Sequence, residues 1–124
     1  MLYATLTLLA VLLVAGVLKR LGAKAVYSTA LLLSVLLSLV ANFGLGQNYF
    51  YNLIPGMHDG GLCISNRVAY FIIGDGLLTQ ARFRIAFERS VWITLLLIVA
   101  YAAAKIAESK TERSKSPSRL TRYQ

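Results

Sequence analysis

The sequence predicts an all-α membrane protein with three transmembrane helices. A long loop, holding an interfacial helix, separates the second span from the third. Three observations carry this expectation. The chain has 124 residues, 57% of them hydrophobic and only 15% charged, whereas soluble domains are about 25% charged. A domain this small cannot hide so much apolar surface in its own interior. Its apolar residues also lie in long uncharged blocks, and basic residues gather at the ends of those blocks.

The first block, residues 1–18 (MLYATLTLLAVLLVAGVL), contains no charged side chain. A membrane-spanning helix needs roughly 17–25 such residues. Lys19 and Arg20 follow the block and no basic residue precedes it. A cleaved signal peptide has the opposite polarity, so this helix is expected to stay and anchor the chain. Residues 19–24 form a short basic turn with Lys24. The second block, residues 25–46 (AVYSTALLLSVLLSLVANFGLG), is again uncharged and long enough to span.

Residues 47–89 form the long loop. Its start, NYFY at 48–51, places aromatics where a helix leaves the hydrocarbon. Pro55, Gly56, Gly60 and Gly61 then punctuate the chain. Residues 68–73 (VAYFII) are apolar but too short to cross. A GDG at 74–76 breaks that run, and an amphipathic helix is expected near 77–89, leading into the third span. That span, residues 90–104 (SVWITLLLIVAYAAA), is short, but Arg89 and Lys105 at its ends can snorkel to the interfaces. Residues 105–124 form a basic, Ser-rich tail interrupted by Pro117. Its first turn should extend the helix and the rest should be disordered.

Charge sets the expected topology. Lys19, Arg20 and Lys24 flank the first turn. The tail carries Lys105, Lys110, Arg113, Lys115, Arg119 and Arg122 against Glu108 and Glu112. The positive-inside rule puts both segments in the cytoplasm and the N-terminus outside, most naturally in a bacterial inner membrane. Arg67, Arg82, Arg84 and Arg89 argue for the reverse, but they are outnumbered. The net charge of +8 is therefore ascribed to membrane flanks and anionic lipid, with no nucleic-acid partner implied.

HDGGLC, residues 58–63, holds the only histidine and the only cysteine of the chain. Its Asp-Gly-Gly favours a turn. A structural zinc site needs four ligands, and a nucleophilic cysteine needs an oriented base. His58, Asp59, Cys63 and Asp75 do not supply either pattern, so no catalytic residue, metal or cofactor is expected. Cys63 has no partner in the chain for a disulfide; it is expected to tuck against the membrane surface, with pairing between two chains as the alternative. Asp75 is expected to cap the following helix or pair with an arginine.

Two candidate surfaces remain. Ala30, Ser34, Ser38 and Asn42 recur every four residues on the second helix, a stripe of small and polar side chains. Such a stripe permits close helix approach and interhelical hydrogen bonds. It serves either another membrane protein or the chain's own first or third helix. The second surface is ARFRIAFERSVW at 81–92. There Arg84 and Glu88 can pair at i,i+4, Phe83, Phe87 and Trp92 can rest in the interface, and Arg82, Arg84 and Arg89 can reach phosphates or an acidic partner. Anchoring of the third span is the simpler use of the same residues.

No charged residue lies inside an apolar block, which disfavours a pump or coupled transporter. The expected function is that of a small membrane protein acting by lateral contact with another membrane protein or with itself: an accessory subunit, regulator or immunity-type protector. A holin-like pore former is one alternative. A membrane enzyme or lipid-headgroup binder using the outer loop is another.

Overall fold

A computed structural model describes residues 2–56 and 61–114 of the chain. The described residues form four helices and no strand: α1 (Leu2–Arg20), α2 (Val26–Tyr51), α3 (Arg67–Ile73) and α4 (Gln80–Ser114). Three of them, α1, α2 and α4, are long and apolar enough to cross a membrane.

The helix ends follow local chemistry. α1 runs through Lys19 and Arg20 and stops at Gly22, whose φ of 70° suits glycine. Ala23 N–H then donates to Leu18 O at 3.0 Å and Gly22 N–H to Lys19 O at 3.2 Å. This pair of bonds is the Schellman closure, which satisfies carbonyls the helix would leave open. α2 starts after Ala25, which has no side-chain cap. Its cap comes from α4 instead: Ser28 N–H donates to Glu108 Oε1 at 3.2 Å. A carboxylate there also meets the positive end of the helix dipole. Glu108 lies on the part of α4 that runs on to Ser114, well past the single turn expected beyond residue 104. Residues 115–124, the rest of the expected disordered tail, lie outside the described residues.

The second helix is also longer than expected, reaching Tyr51 and not ending at residue 46. Gly44 and Gly46 do not break it, because each is a point of close packing. A Cβ at Gly44 would lie 2.7 Å from the Val68 side chain, and one at Gly46 would lie 3.0 Å from the Phe87 ring. Nor do the asparagines of the last turns break it, because they bond to the returning chain. Asn48 Oδ1 accepts from Ser65 N–H at 2.7 Å. Asn52 accepts from Cys63 N–H at 3.0 Å and donates to Cys63 O at 2.8 Å.

α3 is a helix that the sequence pattern left unassigned. Asn66 caps its start, accepting from Ala69 N–H at 2.8 Å, and Gly74 ends it at φ 71°. The helix expected near 77–89 is not a separate element. Residues 77–79 are non-helical, and from Gln80 the helix is the first part of α4. Thr79 sets that start, its Oγ1 accepting from Arg82 N–H at 3.2 Å. Asp75 therefore does not cap α4. Its carboxylate accepts from the Tyr70 hydroxyl at 3.0 Å, and this bond holds the phenol above its usual pKa.

α2 is the central helix, flanked by α1 and α4 and crossed at one end by α3. The basic turn and Glu108 mark the tail end of the bundle. The other end, where α1 begins and α2 meets α3, is the loop end. The core sits there: Leu45, Ala69, Ile73 and Phe83 are buried, with Tyr49, Leu62, Ile64 and Phe87 packed around them. α1 and α4 scarcely touch, and no residue of the α1 span is fully buried.

Candidate functional site: a groove beside a bonded seam

α2 and α4 meet along a seam of four polar side chains. Thr94 Oγ1 accepts from Asn42 Nδ2 at 2.8 Å and donates to Ser90 O at 2.8 Å. A hydroxyl has one proton, so the Ser38 hydroxyl, also bonded to Thr94 Oγ1, must be the donor in that pair. Ser90 donates to Asn42 Oδ1, with Phe87 O as a second acceptor at 2.8 Å. Thr94 is only 4% exposed and is saturated by these bonds. Ser38 and Asn42 of the stripe thus bond to the chain's own α4. Ser34 bonds back to Ala30 O at 3.0 Å within α2, a local arrangement common for a serine inside a helix. The sequence pattern found one side of this seam. Ser90 and Thr94 were missed, although they lie four residues apart in an otherwise apolar block, the same signal that marked the stripe.

Because α1 and α4 stand apart, a groove of about 660 Å³ opens between them, floored by α2 and lined toward the loop end by Ile72 of α3. That volume lies in the range of ordinary small-ligand sites. On α2 the lining runs from Ser34 to Leu45 and on α4 from Ala86 to Leu97, each about 17 Å at roughly 1.5 Å per residue. On α1 it includes Tyr3, Thr7 and Val11.

Every hydroxyl on the groove wall is already engaged. Tyr3 donates to Leu37 O at 2.6 Å, which also ties α1 to α2, and Thr7 donates to Ala4 O at 2.9 Å. Ser34, Ser38 and Ser90 are bonded as described above. With these groups satisfied, the wall behaves as an apolar surface. Arg89 is the exception: it lines the groove near the loop end and has no hydrogen-bond or ion-pair partner among the described residues.

The other arginines of this stretch are engaged. Arg82 donates from Nη2 to Ile73 O at 2.9 Å and from Nη1 to Leu77 O at 3.1 Å. It therefore closes the end of α3, a use the sequence did not suggest. Arg84 Nε pairs with Glu88 Oε1 at 2.7 Å, both side chains more than half exposed. Trp92 is 67% exposed and outside the groove. Of the expected contact residues, Arg82, Arg84, Arg89 and Trp92, only Arg89 faces the cavity.

His58 and Asp59 of the HDGGLC stretch lie outside the described residues. Cys63 is a half-buried free thiol whose backbone is clamped by Asn52. No protein-family model, curated protein or solved structure matches the chain.

Proposed function

We propose that the protein acts by lateral binding within a bilayer, as an accessory or regulatory membrane protein, and that the α1–α4 groove is its binding face. The proposed setting is a bacterial inner membrane, with the N-terminus and loop end outside and the basic tail inside. One observation carries the reading: the groove is sideways-open, apolar and of ligand size, and it displays a cation, Arg89, that has no partner among the described residues. A pore or a proton path would draw on polar groups facing water. Here the polar side chains of the α2–α4 seam bond to one another, which favours binding over conduction.

A second reading is an accessory subunit docked through α1. It is favoured by the α1 span having no fully buried residue and by Gly16, where a Cβ would meet nothing within 4 Å.

Site-specific photo-crosslinking in native membranes tests both. A photoreactive residue at Leu97, in the groove, should give a discrete adduct. One at Leu36, which is 52% exposed on another face, should give only diffuse lipid labelling. Equal, diffuse labelling at both positions would sink the groove reading. A discrete protein adduct at Gly16 alone would replace it with docking through α1.

A further inference from the structure

Resting on that reading, we infer that the groove holds one anionic phospholipid of the loop-side leaflet, with its phosphate at Arg89 and an acyl chain along α2 and α4. Three features of the site select this occupant.

The first is length. The lining covers about 17 Å on both α2 and α4, close to half of a hydrocarbon core about 30 Å thick. A partner helix that crossed the membrane would need a lane along the whole bundle. An acyl chain of one leaflet needs only half. The second is wall chemistry. The hydroxyls of Tyr3, Thr7, Ser34, Ser38 and Ser90 already bond to the protein, so nothing along the wall asks for a polar ligand. Leu37, Ala41, Leu45, Ile93 and Leu97 supply the apolar contact. The third is charge. Arg89 stands near the loop end of that wall with no partner among the described residues, while Arg82 and Arg84 earlier on the same helix are engaged. A guanidinium binds phosphate with paired N–H donors. One cation at one end of an apolar channel is complementary to an amphiphile with one anionic head.

Native mass spectrometry of the purified full-length protein tests the assignment, with phosphatidylglycerol and phosphatidylcholine of matched chains as probes. One phosphatidylglycerol per protein should be retained in preference to phosphatidylcholine. Arg89→Gln should reduce that preference about five- to tenfold, the size expected of one basic residue on an anionic lipid. Arg67→Gln removes the same charge from the same end, outside the groove, and should leave the preference intact. Ser34→Leu, which narrows the channel, should weaken retention of both lipids.

Equal retention of the two lipids by the unaltered protein would overturn the inference. So would equal effects of Arg89→Gln and Arg67→Gln, which would mean diffuse attraction in place of a site. If the Leu97 photo-adduct is a protein and no lipid preference exists, the lipid assignment falls while lateral binding stands. If Leu97 yields no discrete adduct and no lipid is retained, both fall.

Discussion

The two sides of α2 differ in how they treat the same kinds of residue. Toward α4, the side chains of Ser38 and Asn42 reach across to Ser90 and Thr94, and the helices close on them. Toward the α1–α4 opening, Ser34 turns back on its own helix and the space beside it stays open. Both sides come from one stripe of small and polar residues. A polar group therefore closes an interface only where a complementary group stands opposite. Without one, it bonds locally and leaves a cavity lined by carbon.

The largest effect is expected where the loop-end core holds the arrangement together. Gly44→Val places a side chain where even a Cβ would be 2.7 Å from Val68. Overpacking of this kind costs roughly 1–3 kcal/mol, and α3 should lift from α2. Detergent-based thermal unfolding should show the loss, and Cys63, half-buried and held by Asn52 between two residues packed on that core, should become faster to label with a maleimide. An unchanged melting temperature and labelling rate would mean that α3 does not rest on Gly44.

The seam comes next. Thr94→Val keeps the shape but removes the acceptor of both Ser38 and Asn42. The expected destabilisation is about 1–2 kcal/mol, the upper end of measured interhelical hydrogen bonds in membranes. Ser38→Leu should act in the same direction by forcing α2 and α4 apart. If unfolding of both variants in SDS titrations matches the unaltered protein, the seam is not holding these helices.

Ser34→Leu should sharpen the contrast between the sides. Its side chain enters open space, so stability should change by less than about 0.5 kcal/mol while groove occupancy falls. If Ser34→Leu destabilises as much as Ser38→Leu, the two sides of α2 are equivalent and the groove is not open.

The smallest effect is expected at the exposed pair. Arg84→Gln removes the bond to Glu88, an exposed pair screened by water and salt, and should leave stability indistinguishable from that of the unaltered protein. A clear loss, measured by the same unfolding titration, would show that Arg84 has a role beyond this pair.

Much of the architecture was legible in the order of residues. Uncharged blocks of spanning length and their basic ends are local properties, and they indicate three helices long and apolar enough to cross a membrane. The Arg84–Glu88 pair was legible for the same reason, because i,i+4 spacing acts within one helix. Helix ends were less so. α2 continues to Tyr51 because Asn52 and Asn48 bond to Cys63 and Ser65 across the fold. α4 continues to Ser114 while its Glu108 caps the distant α2.

The roles of the polar residues were decided by the tertiary structure alone. Helical periodicity alone requires that Ala30, Ser34, Ser38 and Asn42 share a face. Which of them would meet a partner depended on where Ser90 and Thr94 came to stand, and spacing along one helix carries no information about its neighbour. The same holds for the arginines. Arg82, Arg84 and Arg89 are alike as a cluster in sequence, and each donates the same planar set of N–H groups. The fold supplied carbonyls to the first and placed the third beside the groove, without a partner among the described residues, while the second took its own helix neighbour. Composition determines that a membrane helix carries such groups; only the packed arrangement decides which are satisfied and which remain to bind something else.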